Sequence, residues 1–225
     1  DVYKRQESTT ERFDPGQVAI GELDPALAEQ GWRLLTKRNV APTVFTADGL
    51  YTIRIAANNS NALIYRELPA TVHGDRPALV WEWRVDAVSQ GGGAGKDPDW
   101  PVVVYAAFDV DKQYVGWWRR FMNRLTFSFA GLPATGKILT YVWSLDEPAG
   151  AAYPNPYIPK VAYLRVQRSA QSVDSGWIAE RRDLYADFET AFGHPAKALA
   201  FIAISADSED TGSVTRASIR NLRLD

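Results

Sequence analysis

Carboxylates are the residues of this chain whose types and spacing could do chemistry. Asp97 and Asp99 sit in a glycine-rich stretch, Q-G-G-G-A-G-K-D-P-D-W. Asp187 lies in D-L-Y-A-D-F-E-T-A-F, and Asp207, Glu209 and Asp210 crowd the stretch A-D-S-E-D-T-G. Two such groups flanking a glycosidic bond act as general acid and as base or nucleophile when their carboxyls stand about 5 to 9 Å apart. Asp207 and Asp210 could equally ligate calcium, which takes several carboxylate and carbonyl oxygens. A-D-S-E-D-T-G nevertheless lacks the full loop pattern of a helix-loop-helix calcium site. The plainer alternative is structural: a solvated turn over residues 207–210, and a salt bridge from Arg181 or Arg182 to Asp187.

Other chemistries find less support. Cysteine is absent, which excludes a disulfide framework, a zinc knuckle and a thiol nucleophile. The two histidines, His73 before a Gly-Asp turn and His194 directly after Gly193, have no triad partners in sight. The glycine-rich stretch is not a phosphate-binding loop. Gln90 stands where the first glycine belongs, and Asp97 where the hydroxyl belongs. Glu22 and Asp24 invite comparison with the E-x-D-x-x-E signature of some β-sandwich glycosidases, but position 27 is Leu and Pro25 interrupts the strand.

A ligand site is expected where the loop carrying Asp97 and Asp99 meets strand ends carrying Trp143 and Arg165. Two carboxylates can accept hydrogen bonds from sugar hydroxyls, and a tryptophan offers an apolar face to a pyranose. An arginine supplies planar donors for an acidic sugar. Trp143 shares a strand face with Leu139 and Tyr141, which points to the core instead. Only convergence in space decides between these readings.

The elements that would hold these residues are mostly strands. Residues 78–85, A-L-V-W-E-W-R-V, place Leu79, Trp81, Trp83 and Val85 on one face and Glu82 and Arg84 on the other. Residues 50–56, 62–68, 137–144 and 161–168 alternate similarly, with 161–168 setting Val161, Tyr163, Arg165 and Gln167 against Ala162, Leu164, Val166 and Arg168. Residues 102–110, 199–205 and 214–224 complete the set, separated by Asn, Gly and Pro clusters. One compact helix is expected at residues 183–192, with Leu184, Phe188 and Ala191 at helical spacing and a Gly193-x-Pro195 stop. Asp24 can cap a single helical turn that begins at Pro25. Residues 146–159 read as a long surface loop. Tyr114, Trp117, Trp118, Phe121 and Leu125 form an apolar helical stripe among arginines. It is expected to pack over the sheet, with contact to a membrane surface through Trp117 and Trp118 as the alternative.

Composition agrees with this picture. With 46% hydrophobic and 12% aromatic residues in 225, a sizeable core can be filled. A net charge of -2, mixed along the chain, excludes the clustered basic face that nucleic-acid binding needs. No apolar run is long enough to cross a membrane as a helix.

Several stretches taken together resemble a known family. They are W-E-W-R-V, K-D-P-D-W before V-Y-A-A-F, Y-V-W, W-x-x-E-R-R-D-L-Y-A-D-F-E-T-A-F-G-x-P and I-A-I-S-A-D-S-E-D-T-G. This combination resembles the bacterial domain-of-unknown-function family number three thousand and forty-seven, across roughly residues 13–224. Asp97 and Asp99 are split by Pro98 where the resemblance leads one to expect adjacent carboxylates. The resemblance implies an exported jelly-roll-like protein, periplasmic or extracellular, and carries no established activity.

The expected fold is therefore mainly β: an antiparallel β-sandwich of jelly-roll or concanavalin-like type with one or two short helices. Residues 7–225 are expected to form one domain. Residues 1–6, D-V-Y-K-R-Q, resemble the translation of a sequencing adapter, so the chain is expected to be a gene fragment. The leading functional expectation is a carbohydrate- or ligand-binding module, needing no cofactor unless calcium binds. The alternatives are a glycan-active hydrolase or lyase with paired carboxylates and a non-catalytic envelope protein.

Overall fold

The computed structural model describes residues 18–37, 39–68, 76–89, 99–109, 136–156 and 158–225. Asp97, His73, Trp117, Trp118 and residues 1–6 lie outside the described residues. One sheet has eight strands: β1 (Val18–Gly21), β2 (Arg33–Lys37), β5 (Asn61–Glu67), β12 (Ala198–Asp207), β7 (Val102–Asp109), β8 (Lys137–Trp143), β10 (Ala162–Arg168) and β9 (Ala152–Pro154), in that spatial order. The other has five, in the order β11 (Ile178–Asp183), β6 (Ala78–Ser89), β13 (Val214–Leu224), β4 (Thr52–Asn58) and β3 (Val44–Ala47). Two helices, α1 (Pro25–Glu29) and α2 (Leu184–Phe192), and a 3-10 turn (Ala170–Ser172) complete the elements among the described residues. The chain is mainly β, a sandwich of two sheets with few helices, as its alternation predicts. The pairing is antiparallel except between β8 and β10, which run parallel.

Period-two burial explains the strands. In β4, Ile53, Ile55 and Ala57 are buried while Arg54, Ala56 and Asn58 are exposed. In β6 the inward row is Leu79, Trp81, Trp83 and Val85, each at most 1% exposed. These residues face Leu139, Tyr141 and Trp143 of β8 in one continuous core. Four rings dominate that contact: Trp81 packs edge-on to Trp83 at 5.4 Å and against Tyr141 at 5.6 Å, and Trp83 meets Trp143 at 5.6 Å. Burying each large apolar side chain contributes about 1.5–3 kcal/mol, and the edge-on geometry adds to it. The central strands β7 and β8 are buried on both faces, so alternation alone cannot tell which of their faces meets the other sheet.

Local chemistry sets the helix ends. Asp183 is the N-cap of α2, its carboxylate accepting from the backbone N–H of Tyr185 and Ala186. Gly193, at φ 72, closes the helix in the left-handed conformation, where a glycine carries no Cβ penalty. The buried face of α2 sets Phe188 against Phe108 of β7 at 4.9 Å and leaves Asp187 pointing into the protein, 8% exposed. Asp24 caps α1 by accepting from Ala26 N–H at 2.9 Å. Leu27, where a glycosidase signature would want a glutamate, is wholly buried.

Candidate functional site

The expected residues fall into two places. The first is the turn between β12 and β13, where the residue following the glycine-rich stretch docks. Asp99 is 4% exposed and spends its carboxylate on that turn. It accepts from Asp210 N–H at 3.3 Å, Thr211 N–H at 3.1 Å and Ser213 Oγ at 3.3 Å, and from Thr211 Oγ1. Asp207 returns the clamp, accepting from Trp100 N–H at 2.8 Å. Asp99 is thus committed to protein donors rather than to a sugar, because the turn's backbone N–H groups need an acceptor in a buried place. Replacing it with asparagine removes a charged acceptor from these donors, an expected loss of about 1–2 kcal/mol readable by chemical denaturation.

Asp207 is electrostatically unusual. Burial pushes its carboxyl up from the ordinary 3.8 to about 7, against the pull of the Trp100 N–H; Asp99, Asp210 and Glu209 nearby add to the rise. Alongside, Lys37 pairs with Glu209 at 2.6 Å, and Tyr105 hydroxyl shares a hydrogen bond with Ser205 at 2.9 Å. Burial, and Asp207 itself, push the Tyr105 hydroxyl upward. Among the described residues no group of three histidine, aspartate or glutamate side chains is placed to hold a metal ion. Asp207 and Asp210 sit in one turn, but Asp207 faces Trp100.

The second place is the side of the sandwich where β10 lies over β11. Here the structure brings Arg165, Arg182 and Asp187 together. Arg182 grips Asp187 through Nε at 2.8 Å and Nη2 at 2.5 Å. Tyr141 hydroxyl donates to the same carboxylate at 2.8 Å, and Arg165 Nη2 stands 3.5 Å from it. Burial, reinforced by the Asp187 charge, raises the Tyr141 hydroxyl well above its ordinary value, so it stays a donor. The hydrogen bonds that Arg182 donates to Asp187 hold its guanidinium more firmly protonated still. Arg181 takes no part. Its neighbour in sequence faces inward, so strand alternation turns Arg181 outward to Asp225.

A second ion pair lies along the same side. Glu180 Oε1 accepts from Arg168 Nε at 2.6 Å and from Trp83 Nε1 at 3.1 Å. Simple alternation puts Arg168 on the face opposite Arg165. A register shift between Val166 and Arg168 instead sets Arg168 across from inward-facing Trp143. Glu180 and Arg168 were thus missed as site residues. The alternation of Ile178, Glu180 and Arg182 in β11 was the available signal for the glutamate.

Trp143 does not serve as a sugar platform. It is 0% exposed and lies inside the sandwich against Trp83, because its strand partners leave no open face beside it. Of the three described residues expected to share one ligand site, Asp99, Trp143 and Arg165, Arg165 alone stands half-buried at a reachable edge, with its side chain 27% exposed. Asp99 reaches the β12–β13 turn instead.

A family model described as "Protein of unknown function (DUF3047)" matches residues 30–223, and the chain belongs to that family. No curated protein matches it. Among solved structures it is similar to the xyloglucanase domain of NopAA, a type three effector from Sinorhizobium fredii, in complex with cellobiose. That likeness has 8% identity over 87% of this chain and 94% of that one, with a TM-score of 0.42. A second similar structure is a meso-active, thermo-stable cellulase derived from the Cel12A cellulase of Rhodothermus marinus. It shows 11% identity over 92% of this chain and 98% of that one, with a TM-score of 0.47. Among the described residues no helix is long and apolar enough to cross a membrane.

Proposed function

We propose that this family member is a carbohydrate-binding β-sandwich whose ligand docks where β10 lies over β11. The observation that supports it is Arg165. Its guanidinium is half-buried, and among the described residues its one ion pair is the 3.5 Å approach to a carboxylate already held by Arg182 and Tyr141. Around it the rim offers guanidinium donors and carboxylate acceptors together. A sugar hydroxyl both donates and accepts, so such a rim suits a polyol better than a purely apolar ligand. Both rim carboxylates are tied to arginines, which suits fixed recognition rather than proton transfer.

The test is a glycan array run with and without calcium, on the native protein and on Arg165→Ala. Specific glycans should bind, with affinity falling about tenfold or more in the variant, equivalent to about 1.4 kcal/mol. Because Arg165 makes little contact, the variant's melting temperature should stay close to the native value. A blank array, or a variant that binds as the native protein does, overturns this reading.

A second reading, a glycan-cleaving hydrolase, would use as its general acid the half-buried Asp207, which stands among Asp99, Glu209 and Asp210 with its carboxyl pushed upward by burial and by those charges. Reducing-end release from polysaccharides by the native protein, lost in Asp207→Asn, would establish it. No release from any polysaccharide would remove it.

A further inference from the structure

We infer that the site beside Arg165 takes a saccharide bearing a carboxylate, a uronic-acid unit rather than a neutral sugar. This rests on the reading of the β10–β11 side as a carbohydrate site and names the class of sugar it selects. The argument is a balance of charge and of donors. Three guanidiniums, those of Arg165, Arg168 and Arg182, face two carboxylates, those of Asp187 and Glu180. Both carboxylates already hold protein donors. Asp187 accepts from Tyr141 and doubly from Arg182, and one oxygen of Glu180 accepts from both Trp83 and Arg168.

Among the described residues one positive charge is therefore left over in the row, and Arg165, whose pair is the longest at 3.5 Å, is the least neutralised of the three. Arg165 also brings the planar fork that matches a carboxylate's two oxygens. The interior behind the row has the same shortage of acceptors. Among the described residues the buried indole N–H groups of Trp81 and Trp143 have no hydrogen-bond partner. Trp81 packs on Tyr141, which binds Asp187, and Trp143 packs on Trp83, which binds Glu180. Donors thus outnumber acceptors from the core to the rim. A half-buried cation that shares its one carboxylate, at 3.5 Å, with Arg182 and Tyr141 is only partly neutralised, and a sugar hydroxyl satisfies an N–H without adding a charge. A carboxylate does both.

The experiment is calorimetric titration with an oligomer of galacturonic acid and with the same oligomer after its carboxyls are reduced to alcohols. The native protein should bind the acidic oligomer at least tenfold more tightly, and the preference should shrink as salt is raised. Arg165→Gln should abolish the preference by weakening the acidic oligomer alone. Arg165→Lys, which keeps the charge and loses the fork, should retain part of it. Equal binding of the two oligomers, or a preference that survives in Arg165→Gln, overturns the acidic-sugar inference and leaves carbohydrate binding standing. Failure of both oligomers to bind, with a blank glycan array, removes the two together.

Discussion

Asp187→Asn is expected to lower the unfolding free energy by about 2–4 kcal/mol, the largest loss from any single polar substitution considered for this protein. Asp187 projects from α2, yet its partners come from β8, β10 and β11, so one carboxylate joins the helix to both sheets. Its 8% exposure means that little water replaces the lost acceptor. Asparagine keeps the shape but presents an amide to Tyr141 and to two guanidiniums that want an anion. Both arginines are about a quarter exposed, which lets water relieve part of the penalty and holds the effect below that of a fully buried pair. Urea denaturation should show the loss as a shift in midpoint with an unchanged slope. Arg182→Ala and Asp187→Asn should together cost clearly less than the sum of each alone, because they delete the same interaction. A midpoint unchanged in Asp187→Asn would show that the cluster contributes nothing net to folding.

Asp207→Asn should act in the opposite direction. A carboxyl raised to about 7 in the folded protein, against 3.8 when exposed, makes the folded state bind more protons than the unfolded state between those values. The contribution of this group is greatest near pH 4 and falls as pH rises towards 7, where the half-buried carboxylate is charged beside Asp99, Glu209 and Asp210. The full shift corresponds to about 4 kcal/mol, and an effect of about 2–4 kcal/mol is expected. Asparagine can still accept from Trp100 N–H and never ionises. The variant should therefore match the native protein near pH 4, exceed it above pH 7, and lose most of the slope between. Glu82 contributes with the opposite sign and at lower pH. Its carboxyl is held down by hydrogen bonds from Arg220 and Asn221, so its stabilisation is lost only as pH falls through that depressed value. Thermal melts of both proteins from pH 4 to 8 separate the two effects. Parallel curves would mean that position 207 carries no abnormal proton. A residue that destabilises the fold at neutral pH is also where selection for function is most readily sought.

Much of the fold was legible because its causes are local. Alternation in residues 78–85 assigned the two tryptophans inward before any coordinates, since polar Glu82 and Arg84 left one face for the core. The helix over residues 183–192 announced itself by apolar spacing and its Gly-x-Pro stop, while the capping role of Asp183 emerged only from the structure. The strand Ala152–Pro154 was not legible. Three residues in a Pro- and Gly-rich stretch carry no periodic signal, and their pairing with β10 is what makes them a strand.

The sites divide along the same line. By its own pattern the sequence determined which residue types share a strand face, and the closeness of the charges along the chain pointed to a pair between Asp187 and Arg181 or Arg182. It also excluded thiol and phosphate-loop chemistry and left a nucleophile triad without visible partners. Only the tertiary structure decided where the shared faces point. Strand β8 is apolar on both sides, so the inward turn of Trp143 depended on which sheet lay over it. Arg168 changed faces because one shift of register reverses every side chain beyond it. Asp99 found its donors in a turn more than a hundred residues away, and loop docking over that distance is set by burial and hydrogen bonding across elements. Such contacts leave no trace in the spacing of neighbouring residues.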